Sequence, residues 1–352
     1  MQDCKMREYN IDLLRILCCF LIVQLHFSSS YWFAVELGSY DFIVMTIYNA
    51  ITRVAVPIFI MISGCYLLDP GRLLDTKKLM SRPMRLLGTV YLWSAFYAFQ
   101  GLIIDYLRYG QVSSERWGNS ITRFINGHYH MWFCFLVIGY YLLLPVARKI
   151  AEDKKVLSIF LLLWVIFAYA IPCVFSWIDM PGVVYYFEKF EINLIRGYFG
   201  YFLLGYYIRK VEFYKKTRIA IYFVDVASMC LTIVLSLLQS KSSGERVETW
   251  FSPSSPFILL SSFALFLFFK NLKIDLNKRT AQRVVSLSGF TFFIYMFHVF
   301  ILEKMNMLGI TTLSFDTLLS VPILSVLAFV ISAILAWGLH KIPIINKVLL
   351  YM

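Results

Sequence analysis

The residues most able to do chemistry are a few ionisable side chains that interrupt long apolar stretches. They are Asp12, Arg15, His26, Arg53, Arg196, Asp225 and His298. A charge inside the hydrocarbon of a bilayer is costly, so residues of this kind are functional candidates by default. An imidazole exchanges a proton near working pH, whereas a guanidinium is a fixed positive charge.

The sharpest pair is Arg15 and His26, which lie eleven residues apart in one apolar stretch. At 100° per residue, eleven residues fall within about 20° of three full helical turns, and they rise roughly 16–17 Å along the axis. Both side chains would therefore share one helical face, and we predict that this face lines a polar cavity. The alternative is that Arg15 snorkels to the headgroups or pairs with Asp12, while His26 bonds to a carbonyl group.

A basic cluster follows the second apolar stretch. It contains Lys77, Lys78, Arg82 and Arg85 within nine residues. Four cations this close together suit the binding of phosphate groups. The same charges also suit topogenic signalling or contact with anionic lipid, so the sequence leaves these alternatives open.

Six other side chains in or beside the apolar stretches are further candidates for a functional site: Arg53, Ser63, His130, Trp132, Tyr295 and His298. Ser63 precedes Gly64, and such a pair is also typical of close packing between membrane helices. Tyr295 and His298 share a helical face, which equally suits hydrogen bonds between helices. No Asp or Glu at helical spacing completes a metal site with His130, so we predict no metal.

The composition indicates a membrane protein that crosses the bilayer several times. Of 352 residues, 60% are hydrophobic and only 15% are charged, whereas soluble domains average about 45–50% and about 25%. This excludes a disordered chain, a disulfide scaffold and an ordinary soluble enzyme. The net charge of +12 could suggest a nucleic acid partner, but the cations lie between apolar stretches, so we predict none.

We predict an all-α polytopic fold with about ten transmembrane helices, forming one domain over residues 1–352. With both termini cytosolic, the cytosolic segments hold 23 Lys and Arg residues and the outer segments hold 7, as the positive-inside rule requires. We expect a short interfacial helix near 40–49. The predicted spans are 11–33, 47–68, 85–104, 131–147, 156–175, 192–208, 219–238, 257–269, 285–302 and 317–339.

Several motifs, in this order, resemble the acyltransferase 3 family of integral membrane acyltransferases over nearly the whole chain. They are LLRILCCFLIVQLH, which carries Arg15 and His26; RVAVPIFIMISGCYLL, which starts at Arg53; the basic cluster; HMWFCFLVIGYYLLLP, which starts at His130; GYFGYFLLGYYI, which starts at Gly197; and IYMFH, which ends at His298. The family's basic motif is often Arg-x-Arg, and Arg82-x-x-Arg85 is the nearest match here.

The resemblance implies transfer of an acyl group, usually acetyl, from cytosolic acyl-CoA to an extracytoplasmic acceptor. The acceptor is usually a hydroxyl, sometimes an amine, on a cell-envelope glycan, a lipid-linked sugar or an antibiotic-like molecule. Arg15 and His26 would be the functional pair, and Arg82, Arg85, Lys77 and Lys78 would bind the phosphates of acetyl-CoA. The candidates for contacting the acceptor or stabilising an oxyanion would be Arg53, Ser63, His130, Trp132, Tyr295 and His298. The expected location is the bacterial plasma (inner) membrane, with membrane lipids as neighbours; no oligomeric state is predicted.

Four alternatives remain at this point. The membrane half of vancomycin-resistance serine racemases is similar to this family, and in that case serine uptake would be the chemistry and a soluble C-terminal domain would be absent from this chain. A secondary transporter would also suit the intramembrane charges. A sensor that kept the fold without catalysis would bind ligands without turnover. An ion channel fits least, because the charges are too scattered to form a ring.

Overall fold

The computed structural model describes residues 8–71, 76–175, 181–190 and 192–342. Within these ranges all regular secondary structure is helical, which confirms the all-α prediction. The helices are α1 Tyr9–Ser30, α2 Tyr40–Thr52, α3 Ala55–Leu67, α4 Thr76–Tyr109, α5 Ser114–Asn126, α6 Trp132–Leu142, α7 Leu144–Glu152, α8 Lys154–Val165, α9 Ile171–Phe175, α10 Pro181–Glu188, α11 Asn193–Arg196, α12 Phe199–Lys210, α13 Lys215–Ser243, α14 Pro256–Asn271, α15 Lys278–Met307 and α16 Thr317–Leu339.

Eight helices or helical runs in the described ranges are long and apolar enough to cross a bilayer. A ninth is counted if Ser114–Leu142 and Leu144–Glu152, which are bent by 63°, form one broken span. The polytopic fold class is therefore confirmed, while the count of ten and the cytosolic termini stay predictions. The predicted span 192–208 is divided here between the short helices α11 and α12.

The region around residue 40 shows a helix where one was expected. α2 begins at Tyr40, and its N-cap Ser39 accepts a hydrogen bond from the backbone N–H of Phe42. The break between α2 and α3 is only two residues long, so the two helices together form one apolar run, Tyr40–Leu67. This run is longer than the predicted second span.

By the clustering of its Cα atoms the chain divides into two compact units. The first contains Met1–Arg72, Val146–Ser288 and Gly309–Leu327. In this unit α1 packs against α2, α3 and α14, and α3 packs against α12. The single-domain organisation predicted from the sequence stays a prediction.

Two glycines bring α3 and α12 into backbone contact. A Cβ atom built on Gly64 would lie 1.7 Å from the carbonyl oxygen of Phe202, and one built on Gly205 would lie 2.0 Å from that of Met61. Both distances are far below van der Waals contact, so only glycine allows this approach. The close packing expected at Ser63–Gly64 is thus present.

The Trp164 side chain packs against Gly200 in α12 and bonds to Gly197, which precedes this helix. The Trp164 ring lies where a Cβ atom on Gly200 would be, at 1.9 Å. Its indole N–H donates to the carbonyl oxygen of Gly197 at 2.9 Å, so the buried polar tip of the side chain is satisfied. The motif starting at Gly197 therefore makes room for one large aromatic side chain.

The second unit contains Leu73–Pro145, Gly289–Leu308 and Ala328–Met352. α4 packs there against α5 and α6. Tyr97 also ties α4 to α15, because its hydroxyl donates to the carbonyl oxygen of Met296 at 2.7 Å and accepts from the N–H of Phe300 at 3.0 Å. α5 lies in a segment that was predicted to be an outer loop.

Candidate functional site

Arg15 and His26 lie on one unbroken helix. α1 is continuous from Tyr9 to Ser30, so the spacing of eleven residues does put both side chains on one face, three turns apart. Both are half-buried within the first unit. The helical geometry predicted for the pair is therefore present, and its catalytic role stays a prediction.

Arg15 belongs to a small polar network with Asp12 and Ser288. The Ser288 hydroxyl donates to Asp12 Oδ1 at 2.6 Å and accepts from Arg15 Nη1 at 3.3 Å. Arg15 Nη1 lies 3.7 Å from Asp12 Oδ1, one turn earlier on α1. Asp12 and Ser288 are buried, so the carboxylate fixes the guanidinium at this depth. This is the pairing that the sequence left open, and it does not exclude a functional role for Arg15.

Arg53 has a carboxylate partner and an aromatic partner in the same unit. Its Nη2 lies 3.1 Å from Glu248 Oε1, and its guanidinium stacks 5.0 Å above the ring of Phe251. The predicted contact of Arg53 with a substrate or an oxyanion stays a prediction. In this structure its charge is offset by Glu248.

Ser63 makes a hydrogen bond to the backbone of its own helix, as many helical serines do. Its hydroxyl donates to the carbonyl oxygen of Phe59, one turn earlier, at 3.0 Å. The side chain is half-buried. Its assignment as a substrate contact stays a prediction, whereas the packing role of the neighbouring Gly64 is visible.

The basic cluster lies at the start of α4. Arg82 and Arg85 are exposed there and, at a spacing of three residues, they share a helical face. The side chains of Lys77 and Lys78 lie outside the described residues. Phosphate binding by the four residues stays a prediction.

The second unit brings three predicted residues together. The rings of His130 and Tyr295 are 5.6 Å apart, those of His130 and His298 are 5.8 Å apart, and the Tyr295 hydroxyl donates to the carbonyl oxygen of His130. All three side chains are buried. Trp132, by contrast, is 46% exposed.

Two residues complete this group, which we call the histidine cluster (His128, His130, Tyr295, His298 and Glu303). His128 Nδ1 lies 2.8 Å from His130 Nδ1, and His128 Nε2 lies 3.1 Å from Glu303 Oε1. One of two facing Nδ1 atoms must carry a proton for such a short contact. Over the described ranges, no group of three or more His, Cys, Asp or Glu side chains could hold a metal ion.

Sequence reasoning did not assign His128, Glu303 or Tyr97 to a site. His128 had a signal, because it is two residues from His130. Tyr97 lies in an apolar stretch, and its ring stacks on His128 with centroids 4.3 Å apart; nothing in the local pattern points to this contact. Glu303 lies five residues after His298, at a spacing that does not share its face.

Comparison with known protein families gives a match over most of the chain. A family model described as an acyltransferase domain matches residues 8–337. The chain belongs to the acyltransferase 3 family. The matched range contains Arg15, His26, the basic cluster and the histidine cluster of this membrane acyltransferase. No curated protein and no solved structure matches the chain.

Proposed function

We propose that this membrane acyltransferase moves an acyl group, acetyl in the simplest case, from cytosolic acyl-CoA to an acceptor on the outer side of the bacterial plasma membrane. The acceptor group would be a hydroxyl or an amine. The observation that carries the proposal is the shared face of Arg15 and His26 on α1, in a chain whose family transfers acyl groups. This face offers a base and a fixed positive charge at different depths of one helix.

His26 would act as the general base. It takes the proton of the acceptor hydroxyl while the acceptor oxygen attacks the thioester carbonyl carbon. The tetrahedral intermediate then collapses, the C–S bond breaks, and the thiolate of CoA leaves and receives the proton from His26. Charge balance is kept without a covalent acyl-enzyme.

Positive charge and hydrogen-bond donors would stabilise the oxyanion of the intermediate. Arg15 lies three turns from His26 on α1, which is too far to reach an oxyanion formed beside His26. Its role would be to contact the pantetheine arm of acyl-CoA on the way to His26. Arg53, Ser63, His130, Trp132, Tyr295 and His298 stay candidates for the oxyanion or the acceptor.

The phosphates of acyl-CoA would bind the basic cluster on the cytosolic side. Arg82 and Arg85 are exposed on one face of α4, and arginine binds phosphate oxygens with two parallel hydrogen bonds. Lys77 and Lys78 would add charge. The pantetheine arm would carry the thioester towards His26.

The test is release of CoA thiol from acetyl-CoA by the purified full-length protein in lipid nanodiscs. A general base contributes about 10²–10⁴-fold to a rate, so we expect His26→Ala to lower kcat by about 100-fold or more. His340→Ala is the matched control, because His340 is exposed at the end of α16. If His26→Ala and Arg15→Ala, both correctly inserted, turn over at the parent rate, the mechanism is wrong.

A second measurement separates an acyltransferase from a transporter. Acetyl-CoA that binds the folded state raises the thermal midpoint, and the rise grows with the logarithm of its concentration relative to Kd. We expect this rise in the parent protein, and a smaller rise when Arg82 and Arg85 are both changed to Gln. No rise at saturating acetyl-CoA would contradict a CoA donor.

A further inference from the structure

The second unit contains a polar cavity of about 630 Å³ that the proposed mechanism has not used. Its walls come from the C-terminal half of α4, from α5, from the segment around His128, and from the end of α15. The volume falls in the range that small-molecule sites occupy. The cavity borders the histidine cluster, since His128 and Glu303 both line it.

The cavity is lined by more positive than negative side chains. Its two carboxylates already have partners: Asp105 Oδ2 lies 2.8 Å from Arg116 Nε, and Glu303 Oε1 lies 3.1 Å from His128 Nε2. Three further cations, Arg108, Arg123 and Lys304, line the same cavity. In the described residues none of these three has a carboxylate within ion-pair distance. The cavity therefore has an excess of positive charge.

A second observation points to a ligand. Gln100 lines this cavity, and its Oε1 atom is buried without a hydrogen bond from any group in the described part of the chain. Leaving a buried acceptor without a hydrogen bond is unfavourable. A carboxamide of this kind can accept a hydrogen bond from a ligand hydroxyl or, with the amide turned over, donate one.

The position of the cavity along α4 also matters. Residues 85 and 105 are separated by twenty residues of continuous helix, which is about 30 Å and equals the thickness of the hydrocarbon core of a bilayer. The basic cluster and the cavity therefore lie at opposite membrane faces if α4 crosses the bilayer. On the predicted topology the cavity is on the outer side.

We propose that this cavity binds an anionic saccharide. A phosphate or carboxylate group contacts Arg108, Arg123 and Lys304, and a sugar hydroxyl bonds to Gln100. The anion arises either from a free saccharide or from the headgroup of a lipid-linked one, because both present the same charged oxygens. This binding does not depend on the proposed function.

The experiment measures binding of glucose 6-phosphate, with glucose as the uncharged comparison, to the full-length protein in phosphatidylcholine nanodiscs by titration calorimetry. We expect glucose 6-phosphate to bind at least about 10-fold more tightly than glucose, and high salt to weaken it. Changing Arg108 and Arg123 together to Gln should weaken binding by about 10-fold or more, while changing both to Lys should restore most of it.

The matched control is Lys241→Gln. Lys241 is also an exposed cation of a predicted outer segment, but it does not line the cavity, so its loss should leave the affinity unchanged. Equal affinities for glucose and glucose 6-phosphate, or an unchanged affinity in the Arg108 and Arg123 double Gln variant, would overturn the proposal.

Replacing part of the phosphatidylcholine by phosphatidylglycerol identifies the source of the anion. If phosphatidylglycerol competes with glucose 6-phosphate, the result supports a lipid-linked ligand, and the absence of competition supports a free saccharide.

His26→Ala separates the two proposals: it should abolish CoA thiol release and leave glucose 6-phosphate binding intact. Loss of sugar phosphate binding in His26→Ala would contradict a binding site that is separate from His26.

Discussion

The contact between α3 and α12 permits a sharp test of the fold. In the variant Gly64→Ala, the new Cβ atom would lie 1.7 Å from the carbonyl oxygen of Phe202. Real Cβ contacts are not shorter than 3.0 Å, so the two helices must separate by more than 1 Å. The atom it meets belongs to the backbone of α12, and it cannot rotate away as a side chain could.

The expected loss of stability follows from that displacement. Overpacking a tight interface costs about 1–3 kcal/mol, and a clash with backbone points to the upper end. With an unfolding entropy of about 2.1 cal/mol/K per residue, about 3 kcal/mol lowers the midpoint of a chain of this length by about 4 °C. Gly205→Ala should act similarly, because its Cβ atom would lie 2.0 Å from the carbonyl oxygen of Met61. The double variant should lose less stability than the two single variants together, since one separation of α3 from α12 relieves both clashes.

Thermal unfolding of the purified variants, followed by tryptophan fluorescence, measures these shifts. Gly88→Ala is the matched control: Gly88 is also helical, and a Cβ atom there meets nothing within 4 Å. Because alanine favours helix by about 1 kcal/mol over glycine, this control should melt at or slightly above the parent midpoint. A Gly64→Ala variant that melts with the control would refute the backbone contact between α3 and α12.

Two further predictions concern polar contacts. Asp12→Asn should destabilise the protein by about 1–3 kcal/mol, because Arg15 and Ser288 lose a buried anionic acceptor. The control Glu152→Gln breaks an exposed pair with Lys149 and should cost less than about 0.5 kcal/mol. Equal losses of stability in denaturant titrations of the two variants would contradict the role of Asp12. Trp164→Phe should cost about 1–2 kcal/mol, because the carbonyl group of Gly197 loses its donor; an unchanged midpoint would show that water replaces the indole.

Local sequence patterns predicted the parts of the structure that depend on local geometry. The shared face of Arg15 and His26 depends only on an unbroken helix, and long apolar stretches form such helices reliably in a bilayer. The close approach at Gly64 was also predictable, because small residues mark tight helix contacts. The family resemblance added the reaction class, which composition alone could not supply.

The histidine cluster and the cavity could not be predicted from local sequence patterns. Tyr97, His128 and Glu303 are far apart in sequence, and only the packing of α4 against neighbouring segments brings them together. α5 was missed for a different reason, since its polar composition resembles that of a loop. Its signals were present: Ser113 caps it by accepting from the N–H of Arg116, and Trp117, Ile121 and Ile125 recur every four residues.

The length of α4 has a mechanical consequence. Its 34 residues form a helix about 51 Å long, which exceeds the hydrocarbon core of about 30 Å, so both ends of a spanning α4 reach the polar regions of the bilayer. Any ligand that fixes the tilt of α4 from one side of the membrane changes the orientations that α4 can adopt on the other side. Affinities measured on the two sides would then be linked, and each ligand would change the affinity for the other by the same factor.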